Sequence, residues 1–146
     1  MTGTVFDAIV RGDIPCHKLY EDDRALCFLD IQPLTRGHAL VVPKRGTARV
    51  QDLDPADAAH LLVVAQRVLP ALLESVGAVD ATLAIHDGPA AGQEVPHVHL
   101  HLIPRTPGDG GGPVHALFAH RPEVDGNELE RIADGVRQAL EAEATA

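Results

Sequence analysis

Three histidines at alternate positions, His97, His99 and His101, are the residues of this 146-residue chain whose types and spacing most directly suggest chemistry. Successive side chains of a β-strand point to opposite faces, so the three imidazoles share one face while Val98, Leu100 and Leu102 take the other. Residues two apart on a strand lie about 7 Å from each other, so all three rings could reach one phosphate and its surroundings. On residue types alone three readings stand. The rings could be exposed on a half-solvated strand and do nothing. They could ligate zinc, which takes three or four ligands, although no carboxylate or cysteine follows at a companion spacing. Or a neutral imidazole could attack phosphorus and form a covalent intermediate while neighbouring imidazoles stabilise the transferring charge.

The strand that must carry the histidines is expected over 95–103. It pairs antiparallel with a strand over 81–85, across the turn-forming Asp87-Gly88-Pro89 and Ala91-Gly92. Upstream, 18–21 and 25–29 flank Asp22-Asp23-Arg24 as a hairpin, and 39–42 is an apolar, β-rich run between Gly37 and Pro43. Val5 to Val10 reads as a brief packing helix closed by Arg11-Gly12-Asp13. Asp54 and Pro55 give an N-cap and a first-turn proline, and Leu61, Val64, Ala65, Val68 and Leu72 continue with helical spacing as far as Gly77. Pro70 should kink that helix or end it early. Residues 107–113 contain four glycines and read as a flexible loop, without the Gly-Lys-Ser/Thr of a P-loop. Leu129, Ile132, Ala133, Val136 and Leu140 describe an amphipathic C-terminal helix.

Composition narrows the class. With 45% hydrophobic and 23% charged residues the chain lies outside the regime of disorder, and its length suits one domain over 1–146, with a core at about 5–105 and a loop and helix over 106–146. A formal net charge of -9 opposes nucleic-acid binding, and with no Trp, one Tyr and three Phe there are few platforms for stacking bases. No apolar run approaches the roughly 18 residues that span a bilayer, and the N-terminus lacks the blocks of a signal peptide. A cytoplasmic protein without a membrane partner is expected. Cys16 and Cys27 are isolated, as ordinary reduced thiols would be.

The run Gly88-Pro89-Ala90-Ala91-Gly92-Gln93-Glu94-Val95-Pro96-His97-Val98-His99-Leu100-His101-Leu102-Ile103 resembles the signature of the histidine triad (HIT) family. Phe28-Leu29-Asp30-Ile31-Gln32-Pro33 and Gly37-His38-Ala39-Leu40-Val41-Val42-Pro43-Lys44 resemble its earlier block, and the likeness covers about residues 5–105. It implies an α+β fold: a five-stranded antiparallel sheet with a long helix and a C-terminal helix, two sheets joined across a homodimer. It also implies a hydrolase or transferase acting on adenosine or guanosine monophosphate derivatives, without a cofactor or metal. By the same resemblance His99 is the nucleophile and His97 orients it together with His38. His101 and the amides near Gly92 and Gln93 hold the phosphate oxygens, Asp30 receives the ribose hydroxyls, and Phe28, Ile31 and Ile14 line a base pocket. The expected reaction cleaves a phosphoramidate or a dinucleoside polyphosphate. The alternatives are a nucleotide-binding regulator with little hydrolysis and a histidine-ligated metal site.

Three positions depart from the family pattern. His86 stands where an amide is common, so its contact with the phosphate region would be altered. Glu94 replaces a small hydroxyl residue and should repel phosphate unless protonated, turned away or paired with a cation. Gly46 occupies a position where a further histidine is common and no cysteine pair precedes Phe6, which excludes the zinc-bearing subset.

Overall fold

Thr4 opens the first helix, α1 (Val5–Arg11), with a reciprocal pair of bonds: its hydroxyl accepts from the Asp7 amide, and the Asp7 carboxylate accepts from the Thr4 amide. The helix stops at Gly12, which adopts the left-handed conformation with φ 85°. Strands β1 (Lys18–Glu21) and β2 (Ala25–Leu29) follow, and Asp22 shapes the turn between them by accepting the amides of Arg24 and Ala25. Then come β3 (Ala39–Pro43), α2 (Pro55–Val76), β4 (Asp80–Ala84) and β5 (Leu100–Arg105). The computed structural model describes residues 3–146.

The five strands form one antiparallel sheet in the order β1-β2-β3-β5-β4. Its alternation sorts the core into two layers. Cys27, Val41, Leu100 and Leu102 face α2, meeting Leu61, Val64, Val68 and Leu72, whereas Leu26, Phe28, Leu40 and Val42 face the other way, towards Phe6 of α1. Residues of β2 and β3 are therefore buried on both faces, and β1 and β4 form the edges.

Two expectations change. The long helix does not end at Pro70 but continues to Val76, capped by Asp54 and Gly77. Pro70 lies on the solvent side together with Gln66, whose carbonyl would have received the missing N–H, so water can take the bond that proline cannot make. By length and hydropathy this 22-residue helix is apolar enough to cross a bilayer, contrary to the expectation that no segment approaches that character. Its buried stripe packs on the sheet as the helix of a core does. The strand expected over 95–103 is ladder-bonded only from Leu100, and residues 95–99 run in without strand pairing.

The chain divides into two units, the first ending at Gly111 and the second running Gly112–Ala146. Near the end of the first, Asp109 gathers the segment by accepting bonds from the Arg105 guanidinium and from the amides of Thr106 and Gly111. The second contains α3 (Gly126–Ala144), capped by Asp125, with Leu129, Ile132, Val136 and Leu140 all more than half exposed.

Replacing Pro70 by Ala should restore the backbone bond to Gln66 and stabilise the chain by about 1–2 kcal/mol, less than the full helix-interior cost because proline also restrains the unfolded chain. A rise in the urea midpoint at unchanged slope is the expected result.

Candidate active site

On the sheet face away from α2, α1, the loop after β2 and the turn before β5 surround a cleft of about 480 Å³. His38, His86, His99 and His101 line it, with Asp30. Strand ends place these groups. The Asp30 amide donates to the His38 carbonyl one step beyond the last β2–β3 pair, so the two residues face each other where the ladder closes. His101 sits on β5 opposite Leu40 of β3 and Ala84 of β4.

Hydrogen bonds fix which ring nitrogen carries each proton. The Leu34 amide donates to His38 Nδ1 at 3.0 Å, so neutral His38 holds its proton on Nε2 and donates it to His101 Nδ1 at 2.9 Å. His101, having spent its Nδ1 lone pair, keeps Nε2–H as its remaining donor. His99 Nδ1 lies 2.7 Å from the His97 carbonyl, which can only accept, so Nδ1 is the protonated nitrogen and the Nε2 lone pair is free. The rings of His99 and His101 are neighbours, with centroids 4.9 Å apart, and His86 flanks His101 at 5.3 Å.

His97 behaves differently from its two companions. The alternation of faces holds, since Val98, Leu100 and Leu102 all enter the α2 layer, but the His97 ring does not reach the cleft. It is 1% exposed, stacked edge-on against Phe6, with Nε2 donating to the Pro43 carbonyl at 2.9 Å. Its Nδ1 lies 3.4 Å from both Thr4 Oγ1 and Asp7 Oδ1, the capping pair of α1. A Cβ on Gly46 would overlap the His97 ring, so the glycine is a packing requirement here. The expectation that all three rings share one phosphate is thereby corrected: the His97 backbone orients His99, and the His97 ring anchors that backbone.

The amides of Gly92 and Gln93, expected to hold phosphate, are already spent inside the turn on the carbonyls of Pro89 and Gly88. The Gln93 side chain also braces the turn, accepting from the Gly88 amide and donating to the carbonyls of Ala48 and Val95. Gly92 and Glu94 border the cleft, as do Phe28, Ile14 and Ile31, the last 82% exposed. Asp30 spends one carboxylate oxygen on the Gln32 amide and sets the other 3.8 Å from His38 Nε2. Sequence reasoning missed the α1 wall of Val5, Phe6 and Ile9, together with Cys16, Leu40 and Val95. The apolar spacing of 5–10 was a signal, assigned to packing alone.

The sequence profile of the HIT domain matches residues 11–108. This chain belongs to the HIT family. The HIT chain is 35% identical to a protein named adenylylsulfatase HINT3 from Arabidopsis thaliana, across 93% of this chain and 68% of that one. It is 41% identical to the adenosine 5'-monophosphoramidase hnt1 of Schizosaccharomyces pombe, across 69% and 73%. In three dimensions it is similar to a HIT family member from Bacillus subtilis, with a TM-score of 0.82 at 32% identity, covering 94% and 96%. The α+β fold with its five-stranded antiparallel sheet is that of the family.

Within this HIT site, Asp30, His38 and His101 each bring one ligand atom within 4.8 Å of the others, a carboxylate companion that spacing along the chain did not reveal. The donor set nevertheless suits protons better than a cation. His38 gives its Nδ1 lone pair to the Leu34 amide, so Nε2 carries hydrogen, and ligation there would cost either that bond or a second proton.

Burial holds the pKa of His38 and of His99 below the ordinary imidazole range. For His101, burial and then the neighbouring His99, His38 and His86 push the value down to about 4, with Asp30 opposing. The unfolded chain therefore takes up protons near pH 6.5 that native His101 refuses until about pH 4, so stability falls as pH drops through that window. The expected loss between pH 7 and 4.5 is on the order of 1–3 kcal/mol in urea unfolding, and His101→Asn should flatten the slope. Gly46→Ala should destabilise by roughly 1–3 kcal/mol through overpacking against His97, read as a lower Tm.

Proposed function

We propose that this HIT protein is a nucleotidyl hydrolase or transferase that releases a nucleoside monophosphate through a covalent intermediate on His99. The observation that carries this reading is the His99 tautomer. With Nδ1–H held by the His97 carbonyl, the Nε2 lone pair is left for chemistry, and the His101 ring lies next to that of His99, centroids 4.9 Å apart, in a cleft of nucleotide size.

The chemistry follows from those two atoms. The Nε2 lone pair of His99 attacks phosphorus, a P–N bond to His99 forms, and the bond to the leaving group breaks with its electron pair departing on that group, which takes a proton from solvent if it is an amine. His101 Nε2–H donates to a non-bridging phosphoryl oxygen as charge builds there, and His38 holds His101 in that tautomer. Water then adds to phosphorus and loses a proton to solvent as the P–N bond to His99 breaks, restoring the ring lone pair. Low imidazole pKa values suit this role, because a protonated His99 has no lone pair. Asp30 keeps one carboxylate oxygen for ribose hydroxyls, and Phe28, Ile14 and Ile31 offer the base an apolar surface. The amides of Glu94 and Val95, which close no bond within the turn among the described residues, take the phosphate role expected of Gly92 and Gln93. Relatives named for adenosine monophosphoramidase and adenylylsulfatase activity support an adenosine nucleotide.

His99→Ala and His99→Asn should lower kcat by at least about a thousandfold while adenosine monophosphate still binds, measured with adenosine phosphoramidate and diadenosine polyphosphates as substrates. Wild-type protein that binds nucleotide but releases no adenosine monophosphate from either substrate would make it a regulatory binder. We further infer that two copies join their sheets through β4, an edge strand that carries the exposed Leu83 and is flanked by the exposed Val79 and Ile85. Light scattering should return twice the chain mass, and Leu83→Lys should shift the population towards monomer.

A further inference from the structure

Fixed charges around the cleft are one-sided. Among the described residues no Lys or Arg lines it, although the chain has 12 of them, and its two carboxylates are those of Asp30 and Glu94. Asp30 is engaged by the Gln32 amide and lies near His38. Glu94 is exposed at the cleft edge and has no hydrogen bond or ion pair among the described residues. Arg49, whose guanidinium lies against Gly88 at the start of the turn before β5, forms an ion pair with Asp87 at 3.5 Å and does not line the cleft.

The two carboxylates also stand at opposite ends of the site. Asp30 lies beside His38, His38 bonds to His101, His101 stacks near His86, and His86 meets the turn at Gly92, two residues before Glu94. With the nucleoside at the Asp30 and Phe28 end, a group departing from phosphorus emerges towards the turn that carries Glu94.

We propose that Glu94 is a specificity-determining residue that selects the leaving group by charge, favouring amines that carry or acquire positive charge over phosphate, sulfate or other anionic groups. The inference rests on nucleotidyl transfer at His99 and deepens it. When the P–N bond of a phosphoramidate breaks, its electron pair stays on nitrogen, which takes one proton from solvent to become the amine and a second to become an ammonium that a carboxylate attracts. When a phosphoanhydride or a mixed anhydride with sulfate breaks, the electron pair stays on oxygen, and the departing anion is repelled by the Glu94 carboxylate. A polyphosphate would bring several such charges into a cleft without one lysine or arginine.

The test keeps the bond constant and varies only charge. Three N-linked adenosine 5'-phosphoramidates, of a simple alkylamine, of a diamine with a free ammonium and of a β-amino acid with a free carboxylate, are compared by kcat/KM. Wild-type protein should prefer the ammonium substrate to the carboxylate substrate by about tenfold or more, the scale of one charge pair at partial solvent screening. Glu94→Gln should bring the three substrates to within about twofold, and Glu94→Lys should reverse their order. Ratios taken within each variant cancel any change in folded fraction, and thermal melts check that both variants fold. Adenosine monophosphate released at equal rates from all three by the wild type, or an order that Glu94→Lys leaves intact, overturns this inference alone. No release from any of them overturns the nucleotidyl-transfer reading and this inference together, a result distinguishable from the first.

Discussion

A 2.7 Å hydrogen bond from His99 Nδ1 to the carbonyl of His97 is the interaction on which the site depends. It chooses the tautomer, and the tautomer decides whether a lone pair or an N–H faces the cleft. The bond can be this specific because its acceptor cannot move. The ring of the same residue is held by Pro43, by Thr4 and Asp7 at the start of α1, and by the absence of any side chain at Gly46. One residue therefore divides its labour, with its ring serving packing and its backbone serving the neighbouring ring.

The second constraint is the cost of burying imidazoles. His38 and His99 are 2% and 8% exposed, where a cation is disfavoured and an unpaired polar nitrogen is expensive. The chain resolves this with a relay of neutral rings, Leu34 amide to His38 to His101, in which each nitrogen has a defined role. Asp22 solves a comparable problem at the β1–β2 turn, where Tyr20, His60 and two backbone amides surround it. Both are polar networks that limit the geometries the neighbouring backbone can adopt.

Most of the scaffold was legible in the sequence because it follows from local rules. The polar turn Asp22-Asp23-Arg24 marks β1 and β2 on either side of it, and Asp54, Pro55 and Gly77 mark both ends of α2. Local rules could not decide whether Pro70 ends the helix, because its cost depends on whether water reaches the Gln66 carbonyl, a property of the folded surface. They extended β5 too far, because residues 95–99 keep the alternation while their bonds go elsewhere: the Val98 amide donates to Thr47 rather than to a ladder partner. The family likeness assigns roles to His97, Gly92 and Gln93. How each contributes depended on which amides the turn had consumed and how deeply α1 covered the ring, and both are long-range outcomes.

Helix α1 spans seven residues, well below the length at which a helix persists in water without tertiary support. Its Phe6 closes one core layer, its Val5 and Ile9 wall the cleft, and its capping pair touches the His97 ring. Fraying of this one element would open the cleft, uncover the apolar floor and loosen the carbonyl that aims His99, all in a single step. A ligand that contacts Val5, Phe6 and Ile9 binds only the closed form, so its apparent affinity includes the population of that form. Occupancy of the cleft and hydrogen-exchange protection of the α1 amides are then two readings of the same equilibrium.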